Sequence, residues 1–157
     1  MTYAGTRFAA HGPSHVRKLT HDTYNLPISK LYGVPTRLRL ALKVQRITTG
    51  PQLLAAAGRM TDREALAVRA RIDPEQLGEL VDRADMARVN GVGVVFGLML
   101  EQLGVRKVAD LAGCDPLELH ERLRRHNQAE RLARRSPTAE EVADWVQQAR
   151  ALPRLID

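Results

Sequence analysis

The residues best suited to chemistry are two glycine-containing turns and the cations beside the first of them. Gly91-Val92-Gly93 stands between an apolar residue, Val89, and an amphipathic stretch. Glycine permits positive φ and lets another group approach the backbone closely. A turn of this kind at the head of a helix leaves N–H groups pointing outward, an arrangement that suits a phosphate oxygen. Gly33-Val34-Pro35 is the corresponding turn upstream, followed by Thr36, Arg37, Arg39, Lys43 and Arg46. A hydroxyl and four cations there are natural phosphate partners. The expected nucleic-acid-binding set is therefore Gly33, Thr36, Arg37, Arg39, Lys43 and Arg46 at the first turn, with Gly91 and Gly93 at the second.

Other chemistry has less support in the residue pattern. His11, His15 and His21 invite a metal, but Pro13 interrupts the first pair and no acid or cysteine completes a ligand set. Cys114 precedes Asp115-Pro116 near an expected helix start, which lowers a thiol pKa, yet no motif sets a histidine beside it. Asp85 and Arg88 read as a local ion pair or cap fixing the approach to the second turn. Trp145 shares a stripe with Val142, Val146 and Ala149 and reads as core. A second basic run, Arg122, Arg124, Arg125, His126, Arg131, Arg134 and Arg135, is mixed with Glu121 and Glu130 and reads first as a solvated face. No catalytic residue, metal ligand set or cofactor is expected.

These residues must be positioned by helices. The chain has 157 residues, and aromatic residues make up only 4% of it, so Leu, Val, Ile and Ala carry the packing. Abundant Leu, Ala, Arg and Glu favour helix over sheet. Residues 1–27 lack helical periodicity and read as an arm or extended segment; residues 28–157 read as the helical domain. Leu31, Val34, Leu38, Leu42 and Ile47 recur at roughly helical spacing, and Thr49-Gly50-Pro51 opens a short helix. Thr61 with Glu64 reads as a capping box, ahead of an apolar face of Ala65, Leu66, Val68 and Ile72. Asp73-Pro74 and Asp115-Pro116 are N-cap and proline starts, the second leading to Leu117, Leu119 and Leu123. Gly104 is a helix stop, and Thr138 with Glu141 is a second capping box. Shifted by 58 residues, Gly33-Val34 falls on Gly91-Val92, Leu38 on Phe96, Leu40 on Leu98, Leu42 on Leu100, Ile47 on Val105 and Leu53 on Leu111. The matched positions are mostly apolar, so one helical unit is expected twice, over about residues 28–88 and 89–152, sharing one core.

The pattern Val89-Asn90-Gly91-Val92-Gly93, then Leu98 and Leu100, Gly104-Val105 and Leu111, resembles a helix-hairpin-helix motif. The longer run adds Asp115-Pro116, Leu119, Asn127, Pro137, Val142, Trp145 and Ala149. With Leu66-Ala67, Ile72, Leu77 and Ala84-Asp85-Met86 upstream, it resembles the family called domain of unknown function 4332 over about residues 28–152. The resemblance implies an all-α fold of tandem helix-hairpin-helix units. Better-known members of that superfamily bind DNA without sequence preference through hairpin N–H groups. Two departures bear on this. DNA-binding hairpins usually carry Lys, Arg, Ser or Thr after the second glycine, whereas here Val94 and Val95 follow Gly93. In the first turn Pro35 replaces the second glycine and removes one N–H.

Charge location supports a polyanion partner. Residues 1–58 carry eight Lys/Arg against one acid, so the net +6 of the chain lies in its first third. The leading expectation is non-catalytic, sequence-independent DNA binding through backbone contacts. The alternative is a protein-interaction adaptor or scaffold that uses Val94, Val95 and the N-terminal arm. Either reading leaves room for an oligomer. One cysteine excludes an intramolecular disulfide. With no apolar run of about 20 residues and no secretory leader pattern in Met1–Ala10, the expectation is a cytoplasmic protein with no membrane partner.

Overall fold

The computed structural model describes residues 25–157, and every regular element among them is helical. A 3-10 turn at Ile28–Lys30 leads into α1 (Thr36–Val44), α2 (Gly50–Ala57), α3 (Met60–Ala70) and α4 (Pro74–Met86). After the second glycine turn come α5 (Gly93–Gln102), α6 (Val108–Ala112), α7 (Pro116–Glu130) and α8 (Ala139–Ala151). No helix among the described residues is long and apolar enough to cross a membrane. Most of the expected arm, with His11, His15 and His21, lies outside the described residues. Its last residues belong to the helical body. The Leu26 carbonyl accepts from the Gly50 N–H at 2.9 Å, and the Ile28 N–H donates to the Thr48 carbonyl at 2.9 Å.

Local chemistry explains most helix starts. Thr49 and Gln52 form a reciprocal capping box at α2, as Thr138 and Glu141 do at α8. Asp73 and Asp115 accept first-turn amides of α4 and α7, each followed by proline at the first helical position. α3 departs from expectation. Its helix begins at Met60, so Thr61 is inside it and Arg59 provides no side-chain cap. Asp157 supplies the missing acceptor, taking the Met60 N–H at 2.8 Å from 97 positions along the chain. Three residues expected on apolar faces also point outward: Ala65 is exposed, Val68 is 81% and Leu117 75% exposed. α3 meets the core instead through Leu66 and Ala67, with Ile72 just beyond it, and α7 through Leu119 and Leu123.

Two apolar clusters form the interior. Leu38, Leu42, Leu53, Leu66, Leu77 and Leu80 anchor the first, contributed by α1–α4. Leu100, Leu111, Leu119, Leu123, Trp145 and Val146 anchor the second, contributed by α5–α8. Phe96 and Leu103 are half-buried at its margin, with the Phe96 ring 5.5 Å from that of Trp145. The 58-residue register recurs in the backbone. The Ile47 N–H donates to Leu42 at 3.0 Å, as Val105 does to Leu100 at 2.9 Å. The Thr48 and Thr49 amides converge on Gln52 Oε1, as those of Arg106 and Lys107 do on Asp110 Oδ2. Gly33 and Gly91 both have positive φ, as do Arg46 and Gly104.

A buried ion pair joins the two halves. Asp85 Oδ1 and Arg88 Nη1 are 2.7 Å apart at the end of α4, both almost fully buried. Asp85 Oδ2 accepts the Val108 N–H at the start of α6, and Arg88 Nη2 donates to the Pro153 carbonyl. The last residues then return to the first half. Ile156 is buried in the first cluster, and the Asp157 N–H donates to the Gly58 carbonyl at 3.0 Å.

Three stability changes follow. Asp85→Ala strands the Arg88 guanidinium and the Val108 amide and should cost about 3–5 kcal/mol in urea unfolding. Pairing Asp85→Leu with Arg88→Met should recover only part of that loss, because the Val108 amide still lacks its acceptor. Leu100→Ala, at a fully buried position, should cost roughly 2–5 kcal/mol.

Candidate nucleic-acid interface

α1 exists because Leu38 and Leu42 bury one side of it, and the remaining sides face water. Arg37, Arg39, Lys43 and Arg46 are all exposed, as is Thr36. From Asn25 to Met60 the sequence contains no acid. Consistent with this, none of these four cations has a salt-bridge or hydrogen-bond partner among the described residues. Cations elsewhere are mostly engaged. Arg83 pairs with Glu101, Arg88 with Asp85, Arg124 and Arg125 with Glu121, and Arg135 with Glu141. Arg63, Arg122 and Arg150 donate to backbone carbonyls. The second basic run is thus partly neutralised in place: Arg124 and Arg125 share Glu121 and Arg135 holds Glu141, while Arg131 and Arg134 have no side-chain partner among the described residues. The Arg124 and Arg125 guanidinia draw the Glu121 carboxyl down to a pKa of about 2.

The helix starts differ in the same sense. α1 and α5 follow the two glycine turns, and neither has a side-chain cap or an acid in its first turn. Their leading N–H groups are left as open donors at the positive end of each helix. At α1 the neighbouring side chains are Thr36, Arg37 and Arg39. At α5 they are Val94 and Val95, 54% and 43% exposed. Leu40 and Val44 are also exposed on α1, at 49% and 79%.

The structure sets the segment just before the first turn, which includes Leu31 and Tyr32, and the second turn itself on either side of an open cavity. Arg83 ties them together. Its guanidinium makes two hydrogen bonds to Glu101 of α5, at 2.8 and 3.1 Å, and donates to the Tyr32 carbonyl at 3.2 Å. The Arg83 carbon also lies 5.5 Å from the centroid of the Tyr32 ring. Gly91 and Gly93 line the cavity wall, while Arg37, Arg39, Lys43 and Arg46 do not. The sequence-derived set therefore divides into exposed cations on the solvent side of α1, with Arg46 just beyond its end, and a glycine-lined wall at the second turn. Arg83 escaped sequence reasoning, since nothing local to α4 marks it as a bridge to Tyr32, 51 positions away.

Other candidates have structural roles. Trp145 is buried, with its Nε1 beside Gly91. Cys114 donates to the Asp110 carbonyl, and burial pushes its thiol pKa up, the wrong direction for a nucleophile. Among the described residues no group of three or more His, Cys, Asp or Glu side chains is placed to hold a metal ion.

Among the described residues the fold is all-helical, with a backbone register that recurs at 58 residues. Over residues 33–152 the chain matches the family described as Domain of unknown function (DUF4332), and it belongs to that family. No curated protein and no solved structure matches it.

The two glycines should respond differently to substitution. Gly91 has φ +91°, and an added Cβ would lie 3.3 Å from Trp145 Nε1. Gly91→Ala should cost about 1–2 kcal/mol by thermal or urea unfolding. Gly97 is helical with only Val92 nearby at 3.7 Å, so Gly97→Ala should stabilise by about 0.5–1 kcal/mol.

Proposed function

We propose that this chain is a sequence-independent DNA-binding protein without catalytic activity, built from tandem helix-hairpin-helix units. The observation that carries the reading is the isolated cationic face of α1. Arg37, Arg39, Lys43 and Arg46 are exposed, and their side chains have neither an ion-pair nor a hydrogen-bond partner among the described residues, whereas Arg83, Arg88, Arg124, Arg125 and Arg135 are ion-paired and Arg63, Arg69, Arg122, Arg150 and Arg154 are hydrogen-bonded. Unpaired cations on a rigid helix meet phosphates without first breaking protein contacts. Thr36 and the open amides of α1 add donors beside the Gly33 turn. At the second turn Gly91 and Gly93 offer backbone, but Val94 and Val95 cannot pair with phosphate. In this reading the first turn makes the main contact and the second a lesser one.

A second reading rests on the exposed apolar residues. Val94, Val95, Leu40 and Val44 suit a protein partner better than a nucleic acid. There the chain is an adaptor, and the arginines mainly govern the rate of encounter.

A DNA titration at several salt concentrations separates the two. Counterion release makes DNA affinity fall with salt in proportion to the phosphates neutralised. Arg37→Ala and Lys43→Ala should each reduce the slope of log K against log salt by about one and weaken all sequences alike. Val94→Glu should change DNA affinity much less. No binding to duplex or single-stranded DNA at low salt would remove the DNA reading and leave the adaptor.

A further inference from the structure

The cavity between the two turns is a site that the cationic face does not use. It has a volume of about 630 Å³, within the range of about 300–1,000 Å³ typical of small-molecule sites. Its walls are mostly apolar: Leu31 from the end of the 3-10 turn, Met86 and Val89 from the exit of α4, Val92 and Leu98 from the second turn and α5. Gly93 and Gly97 leave space against the backbone on one side, since no atom lies within 4 Å of a Cβ added at Gly93. An open apolar recess of this size on a folded chain marks a binding site more often than a packing fault.

The polar groups of the wall decide what kind of occupant fits. Four charged residues line it: Lys30, Arg83, Glu101 and Arg106. Glu101 is held in a two-point pair by Arg83, so these two cancel. Lys30 and Arg106 remain, neither with an acidic partner among the described residues. Glu79 and Asp82 do not line the cavity; they line an adjoining crevice together with Arg83, Glu101 and Arg106, and Arg106 forms no ion pair with either. An apolar wall with two cations outside any ion pair complements a molecule with an apolar body and an anionic end. Nucleic acid does not meet this description, because phosphates gain nothing from leucine and valine. A second copy would bring the same two cations against themselves. The chain's own first residues are also mismatched, since residues 1–24 carry Arg7, Arg17 and Lys18 against Asp22 alone.

The geometry points to a ligand site for a single-chain anionic amphiphile, such as an alkyl carboxylate, seated between the segment just before the first glycine turn and the second turn, with its charge at Lys30 and Arg106. The site stands apart from DNA binding by α1, and either can fail without the other.

Isothermal titration calorimetry of the full chain with dodecanoate, and with dodecyltrimethylammonium as the opposite-charge control, tests it. Dodecanoate should bind saturably at one site, about five- to tenfold more tightly than the cation. Combining Lys30→Glu with Arg106→Glu should abolish or reverse that preference. Gly97→Leu should fill the cavity from α5 and remove binding of both, while leaving the salt slope for DNA unchanged. Val94→Trp, altered at an exposed position of the wall, is the second occluding variant, and circular dichroism checks that both are folded. Absence of saturable binding, equal affinity for the two amphiphiles, or unchanged dodecanoate binding in both folded occluding variants would overturn the site. So would recruitment to phosphatidylglycerol vesicles without binding of free dodecanoate, which would assign the surface to a membrane instead.

Discussion

The arrangement of the two halves depends on one buried ion pair. Asp85 and Arg88 sit at the last turn of α4, where the chain leaves the first core and enters the second. Ala84 belongs to the first cluster and Met86 to the second. Each member of the pair reaches a different element: Asp85 the first amide of α6, Arg88 the carbonyl of Pro153. The direction in which α4 ends, the point where α6 begins and the path of the final segment are thus set together. Arg88 Nε is buried without a partner, so the network is not fully satisfied. Replacing such a pair with well-packed apolar residues is often neutral or stabilising. Its value here is geometric: it holds the second turn at a fixed angle to the first.

The first half solves the same problem by other means. At the position equivalent to Val108, the Gly50 amide is taken by the Leu26 carbonyl, a backbone group on an extended segment. One unit therefore closes on a carboxylate and the other on a peptide oxygen. The Asp157 contact at α3 adds a second tie between the end of the described chain and its first half. Together these ties leave the turns facing across a gap that no side chain of either core fills.

Local features of the fold were legible in the sequence. Asp73-Pro74, Asp115-Pro116, Gly104 and the Thr138–Glu141 box depend on residues within four positions of each other, and each lies at its expected helix end. The shift linking Leu42 with Leu100 was legible because apolar positions repeat wherever a helix face is buried. Non-local features were not. Thr61 and Glu64 make a good capping box on paper, but the acceptor at α3 comes from Asp157, and no window along the chain contains both. Asp85 and Arg88 read as a local pair, and their reach to Val108 and Pro153 had no signal. The cationic residues of the candidate interface were legible as a cluster of charge. That they stay unpaired follows from where the acids fold, which only the structure gives. The cavity was invisible, since it belongs to neither half alone.

The unpaired face of α1 also limits how strongly it can act. A helix of 9 residues is roughly 13 Å long, and duplex DNA carries one charge per about 1.7 Å of axis. Charge supply on the nucleic acid is therefore ample, and the number of cations is limiting. If all four side chains neutralise a phosphate, the slope of log K against log salt is about −3.6. That slope costs on the order of a hundredfold in affinity between 50 and 200 mM salt. The paired arginines of the second half add less, because Glu121 offsets one charge of Arg124 and Arg125 and Glu141 that of Arg135, and screening acts over about 8 Å. Arg7, Arg17 and Lys18 add three cations against one acid in the sequence before Asn25, which would steepen the slope if they also reach phosphate. Comparing the slope of the full chain with that of residues 25–157 would measure this: a common value near −3.6 assigns the contact to α1, and a steeper one for the full chain assigns the remainder to the first 24 residues.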